Sequence, residues 1–144
     1  MRRSAGHSLV ELVLVLVLLG LLLAFGLPRI AGLGDRIAVH RAASELASFY
    51  DVSRYAAIMR ARRVRLEFAA DTLRAVYESA VDSEFLGRPG PSHLGVRLRV
   101  SRSVIRVGPT GLGWGAANTK LVLMRGVAAE SLTTSRLGRI KHWR

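Results

Sequence analysis

Gly6-His7-Ser8-Leu9-Val10-Glu11-Leu12 opens the stretch that decides the architecture of this 144-residue chain. From Leu12 to Leu27 there are sixteen residues without a charge, nearly all Leu, Val, Ala, Gly or Phe. Counted back to Leu9 the run has nineteen residues, interrupted only by Glu11. About twenty apolar residues cross a bilayer core as a helix. Met1-Arg2-Arg3-Ser4-Ala5-Gly6 places positive charge in front of the run, which favours a cytoplasmic N-terminus. Everything from Arg29 onward then lies outside the cytoplasm.

Three readings of the run stay open on residues alone. Ala24-Phe25-Gly26 fits the small-x-small pattern of a secretory signal cleavage site. A plain signal anchor is the second. The third turns on Glu11. An ionised carboxylate in an apolar helix costs roughly 2.5–3.5 kcal/mol on insertion scales, so an intramembrane acid points to function. The run itself offers no basic residue. A partner from elsewhere is expected: another subunit, a lipid headgroup or a newly made N-terminal amine.

The heptapeptide resembles the class III signal of type IV pilins and type II secretion pseudopilins. The resemblance implies that a prepilin peptidase cuts after Gly6 and methylates the amine of His7. It implies that Glu11, five residues after the cut, pairs with the amine of a neighbouring subunit during assembly. A charge that is costly alone becomes tolerable when paired inside a helix bundle. His7 departs from the usual Phe at the new N-terminus. The pattern also has a glycine partway along the helix and a proline near its end, and Gly20 and Pro28 occupy those places. Pro28 is expected to kink the helix, and Gly20 to permit close helix packing.

The remainder of the chain changes period. Gly32 and Gly34 loosen the backbone, and Asp35 is placed to cap a second helical stretch. Ile37, Val39, Ala42, Leu46, Phe49, Tyr50, Ser53, Ala56 and Met59 recur at three- and four-residue steps, an amphipathic stripe facing a sheet. Beyond Arg62 the period becomes two. Val64, Leu66 and Phe68 alternate with Arg63, Arg65 and Glu67; Leu73, Ala75 and Tyr77 follow a turn at 69–71; Val96, Leu98 and Val100 alternate with Arg97 and Arg99. After a break at 101–103 the parity shifts to Ile105 and Val107. Gly87–Pro91 and the glycine-rich 108–115 read as loops, Leu121–Met124 as an apolar strand, and Leu132–Ser135 with Ile140–Trp143 as a last hairpin about Gly138.

The predicted class is α+β, a long N-terminal helix packed on an antiparallel sheet and resembling a type IV pilin. The expected organisation is a leader at 1–6, a transmembrane and assembly helix at 7–34 and a periplasmic α+β domain at 35–144. The layout is similar to the GspH/FimT branch of minor pseudopilins. Three features carry this: the helix ending in Ala61-Arg62-Arg63 and running into Val64, the glycine-rich loop before an apolar strand, and Ser135-Arg136-Leu137-Gly138-Arg139-Ile140-Lys141, like the branch's terminal Gly-Arg-x-Arg motif. The resemblance implies a single-pass inner-membrane subunit with its C-terminal domain in the periplasm. Its implied partners are other major and minor pseudopilins, the prepilin peptidase, inner-membrane lipid and secreted cargo.

Composition excludes much chemistry. With no cysteine there is no disulfide framework and no thiolate site. His7, His40, His93 and His142 are scattered without metal-binding spacing, and the loop at 108–115 lacks the Gly-Lys-Ser/Thr end of a phosphate-binding loop. No enzyme, cofactor or metal is expected. Glu78, Asp82 and Glu84 are closer to a solvated turn than to a calcium loop.

The charge is the remaining feature. The net charge is +12, and removal of Arg2 and Arg3 with the leader leaves +10. Of 22 basic residues all but Lys120 and Lys141 are arginine. Arg63, Arg65, Arg97 and Arg99 would line one outer face if their strands share a sheet. Arg136, Arg139, Lys141 and Arg144 form a basic C-terminal cluster beside Trp143. Such clusters hold phosphate backbones, and in FimT-like members the resemblance implies DNA capture for natural transformation. Lys141 keeps the charge of that motif but not the bidentate fork of arginine. The sequence therefore points first to a pseudopilus subunit of type II secretion and second to a DNA-binding minor pilin.

Overall fold

The computed structural model describes residues 8–79 and 81–143, except for the side chains of residues 27–31. The chain divides into two compact units, Met1–Gly34 and Asp35–Arg144. The first element, α1 (Leu9–Met59), is a single helix of 51 residues. Its Leu9–Gly26 segment has a mean hydropathy of 2.8, enough by length and composition to cross a membrane. Asp35 does not begin a second helix. It lies inside α1, and its carboxylate forms an ion pair with Arg125 at 3.0 Å.

In the second unit α1 buries Val39, Ala42, Ala43, Leu46, Phe49, Tyr50, Ser53 and Ala57. The expected stripe is thus present, but its ends are not core. Ile37 is 61% and Met59 64% exposed, because the sheets cover only the middle turns. The Ser53 hydroxyl donates back to the Phe49 carbonyl at 2.7 Å, so its burial leaves no orphan. α1 ends in a Schellman arrangement. Arg62 N donates to Ala57 O and Ala61 N to Ile58 O, both at 3.1 Å, with Ala61 left-handed at φ 47°.

Among the described residues nine strands follow. β1 (Val64–Phe68), β2 (Thr72–Tyr77), β3 (Ser83–Pro89), β5 (Val104–Val107) and β6 (Gly113–Trp114) form one sheet in the order β3-β2-β1-β5-β6. β4 (Arg97–Val100), β7 (Thr119–Arg125), β8 (Ala128–Thr134) and β9 (Ile140–Trp143) form another in the order β4-β7-β8-β9. All pairings are antiparallel. Two sheets therefore stand where one was expected. The break at 101–103 is the crossing between them, which explains the change of parity there.

The two-residue period is visible in burial. Val64, Leu66 and Phe68 point inward from β1, and Leu121, Leu123 and Leu132 from β7 and β8. The Phe68 ring meets Phe49 edge-on, centroids 6.0 Å apart. Each such side chain contributes about 1.5–3 kcal/mol by leaving water. Ala42, Ala43 and Ala57 keep the helix surface low where the sheets approach.

Two segments read as loops are strand in part, 87–89 and 113–114. β3 pairs with β2 on both sides of an irregularity at Phe85, and Gly87 stands opposite Arg74. Its side chains are mostly exposed or half-buried, so no apolar alternation announced it. β6 lies within 108–115 and pairs Trp114 with Arg106. The crossing between sheets is fastened by buried Thr119. Its hydroxyl accepts from Arg102 N and donates to Arg102 O, both at 3.1 Å.

Candidate functional site

Glu11 stands in the first turn of α1, exposed like the apolar residues around it. A Cβ at Gly20 would meet nothing within 4 Å, so the helix surface is open there. Gly6 and His7 lie outside the described residues. Pro28 falls within the backbone range of α1, but its side chain is not described.

The arginines divide between the sheets in a way the sequence did not show. Arg63 and Arg65 belong to the five-stranded sheet side and Arg97 and Arg99 to the four-stranded sheet, so the four do not share a face. On the first sheet the acids neutralise the arginines. Arg65 donates to Asp82 at 2.7 Å and to Glu67 at 3.0 Å. Arg106 donates to Glu78 at 2.6 Å, and Arg74 to Glu84 at 2.8 Å. The acids expected in a solvated turn do flank the β2–β3 turn, Glu78 and Asp82 before β3 and Glu84 at its start, but they form ion pairs with arginines of this sheet. The Asp82 hydrogen bond, helped by Glu67 and opposed by partial desolvation, holds the Arg65 guanidinium above the ordinary arginine range.

The four-stranded sheet is different. Its register aligns Arg99, Val122, Ser131 and Trp143 in one row, and Lys120, Thr133 and Lys141 in the next. With Arg97 this outward face carries four cations, and no described acid occupies an outward position on it. Lys141 Nζ sits 4.0 Å from the centroid of the half-exposed Trp143 ring, whose Nε1 donates to Thr133 at 3.0 Å. Lys141 is thus part of this face. Arg136 and Arg139, both exposed, lie in the β8–β9 turn, and Arg144 is outside the described residues. Sequence alone pointed to the terminal cluster but missed Lys120, whose register partner Thr133 faces Lys141.

The sheet's one acid points inward. Buried Glu130 holds His40 of α1 at 3.3 Å and His142 of β9 at 3.2 Å, one on each carboxylate oxygen. Among the described residues no group of three histidines or acids is placed to hold a metal ion. A groove of about 710 Å³ beside this trio is lined by Arg36, Ile37, His40, Val127 and Glu130, among others.

The glycine-rich loop is held by its own backbone. Gly108 N donates to Leu112 O at 2.8 Å and Gly113 N to Arg136 O at 2.7 Å, and Arg54 of α1 donates to Gly111 O at 2.9 Å. The amides of Gly108, Gly111 and Gly113 are thus committed to backbone carbonyls. The loop is thereby clamped to α1 and to the β8–β9 turn.

Residues 1–27 match the family model of the prokaryotic N-terminal methylation motif. The chain shares its fold with two crystal structures of the type IV minor pilin FimU of Pseudomonas aeruginosa strain PAO1. In the P21 form the TM-score is 0.65 at 13% identity, over 76% of this chain and 90% of that one. In the P65 form it is 0.61 at 13% identity, over 73% and 92%. No curated protein matches the chain. The likeness to FimU is one of fold: an apolar N-terminal helix continuing into a helix packed on antiparallel sheets, as in type IV pilins.

Proposed function

We propose that the chain is a minor, non-enzymatic structural subunit of a pilin-like filament, and that the filament is the pseudopilus of a type II secretion system. The observation that carries this reading is the methylation motif at 1–27, with Glu11 in the first turn of an apolar helix. The prepilin peptidase cuts between Gly6 and His7 and methylates His7. The mature protein then waits in the inner membrane as a single-pass subunit with residues 35–144 in the periplasm. On assembly Glu11 meets the N-terminal amine of a neighbouring subunit, Gly20 lets helices approach, and Pro28 bends the helix. The periplasmic domain contacts other pseudopilins and the secreted cargo.

N-terminal sequencing of the mature protein tests the first step, with a start at His7 expected and a start after Gly26 fatal to the reading. Glu11→Ala should leave processing intact and abolish incorporation into filaments. Normal incorporation would reject the pairing.

A second reading, a minor pilin of a type IV pilus that binds DNA, is favoured by the fold shared with FimU and by the acid-free basic sheet face. Phosphate-backbone binding of this kind weakens steeply with salt. Deletion of the gene separates the two readings. Loss of protein export supports the first, and loss of DNA uptake with export intact supports the second.

A further inference from the structure

A cluster of exposed apolar side chains stands on the second unit where α1 ends. Three segments distant in sequence meet there: the last turns of α1, the loop at 108–115 and the β8–β9 turn. Arg54 donates to Gly111 O, a Cβ at Gly111 would touch Ile58, and one at Gly138 would meet both Arg54 and Gly111 O. Around this junction Tyr55, Ile58, Met59, Leu112, Trp114 and Leu137 are 40–75% exposed. Soluble surfaces seldom leave such a cluster open unless it is used. Cations border it. Arg63 stacks on the Trp114 ring at 4.3 Å, Arg136 lines a hollow of about 360 Å³ with Trp114 and Leu137, and Arg60 and Arg62 follow on the chain. Of these three segments only α1 supplies an acid near the cluster, Asp51, and from outside them Glu78 lies 3.9 Å from Arg63.

We propose that this end is a docking surface for a different protein that presents an apolar centre ringed by carboxylates. Tyr, Trp, Met and Arg are the residues enriched where proteins meet and where binding energy concentrates. A two-fold contact with a second copy of the chain is disfavoured, since it would set arginine against arginine. The inference goes beyond membership of either filament and holds in both.

The test is site-specific photocrosslinking of the full-length chain in its native cells. A photoreactive residue replaces Tyr55, Leu112 or Leu137, with exposed Val81 as the control position. The expected result is one heterologous adduct from all three sites and not from 81. Its crosslinked peptide, mapped by mass spectrometry, should contain Asp or Glu beside apolar residues. Arg136→Glu should reduce the adduct at least tenfold, with the level and processing of the chain unchanged. Crosslinks only to a second copy, to lipid or to nucleic acid would overturn the proposal. So would no adduct at all, or an adduct indifferent to Arg136→Glu. If the chain fails to assemble for want of the N-terminal pairing, Glu11→Ala removes filaments. Loss of processing or membrane association at that step marks failure of the filament reading rather than of this surface.

Discussion

Arg54 donates through Nε to the Gly111 carbonyl at 2.9 Å, so the end of α1 grips the glycine-rich loop by its backbone. The guanidinium is half-buried, and the same side chain packs under Gly138. Arg54→Ala removes the donor and the packed stem together. A loss of about 1–3 kcal/mol is expected, since the carbonyl it served stays buried. Denaturant unfolding of the full chain in micelles, followed by Trp fluorescence, measures it. Unchanged stability would show that the grip is idle.

Gly138 and Gly115 both have left-handed backbones, at φ +75° and +66°. Their surroundings differ. A Cβ at 138 would collide with Gly111 O and Arg54, whereas one at 115 meets nothing within 4 Å. Gly115→Ala should therefore cost only the backbone strain, about 1 kcal/mol. Gly138→Ala should cost at least twice that, because it also drives the two loops apart. Equal costs in paired melts would contradict the packing.

Much of this was legible in the sequence because single physical constraints dominate it. The span and Glu11 stand out since the bilayer tolerates few charges, and the α1 stripe and the strands β1, β7 and β8 stand out since one face of each is buried. β3 was not legible, because an edge strand with mostly exposed and half-buried residues has no apolar alternation to read. The pairing of Asp82 with Arg65 and of Glu84 with Arg74 depends on where that missed strand lies, and the pairing of Glu78 with Arg106 on the sheet order that sets β5 beside β1. The basic face was half visible. Alternation placed Arg97 and Arg99 outward, but only register puts Lys120 and Lys141 beside them.

Ala61 closes α1 at φ 47°, a position where glycine avoids a clash that alanine does not. The strain costs about 1–2 kcal/mol, and the extra freedom of glycine in the unfolded chain returns roughly 0.4–1 kcal/mol of that. Ala61→Gly should stabilise the domain by about 0.5–1 kcal/mol. A lower melting temperature would mean that the left-handed turn is not strained.

Glu130 ties His40 on α1 to His142 on the edge strand β9. Glu130→Ala leaves both rings without that acceptor and opens a void under the sheet. A loss of about 1–3 kcal/mol is expected, with faster amide exchange in β9 than in β7. Glu130→Gln keeps one carbonyl acceptor and should lose less. Uniform exchange across the sheet in Glu130→Ala would show that the carboxylate does not hold β9.

Tyr50 sets an alkaline limit on stability. Its ring is buried in the α1–sheet core, and burial pushes the phenol above its ordinary value of 10.0. Arg54 opposes that rise, and Asp51 adds to it. Unfolding exposes the phenol, which then ionises near pH 10. Between that pH and the raised folded value the folded chain binds more protons than the unfolded one. Stability from this group is therefore complete below about pH 10 and falls as pH rises through that window, by at most about 1.4 kcal/mol per pH unit. Tyr50→Phe has no proton to lose, so its stability should stay flatter above pH 10 than that of the parent chain, whatever its offset at neutral pH. Parallel alkaline legs in the two unfolding curves would place the responsible group elsewhere.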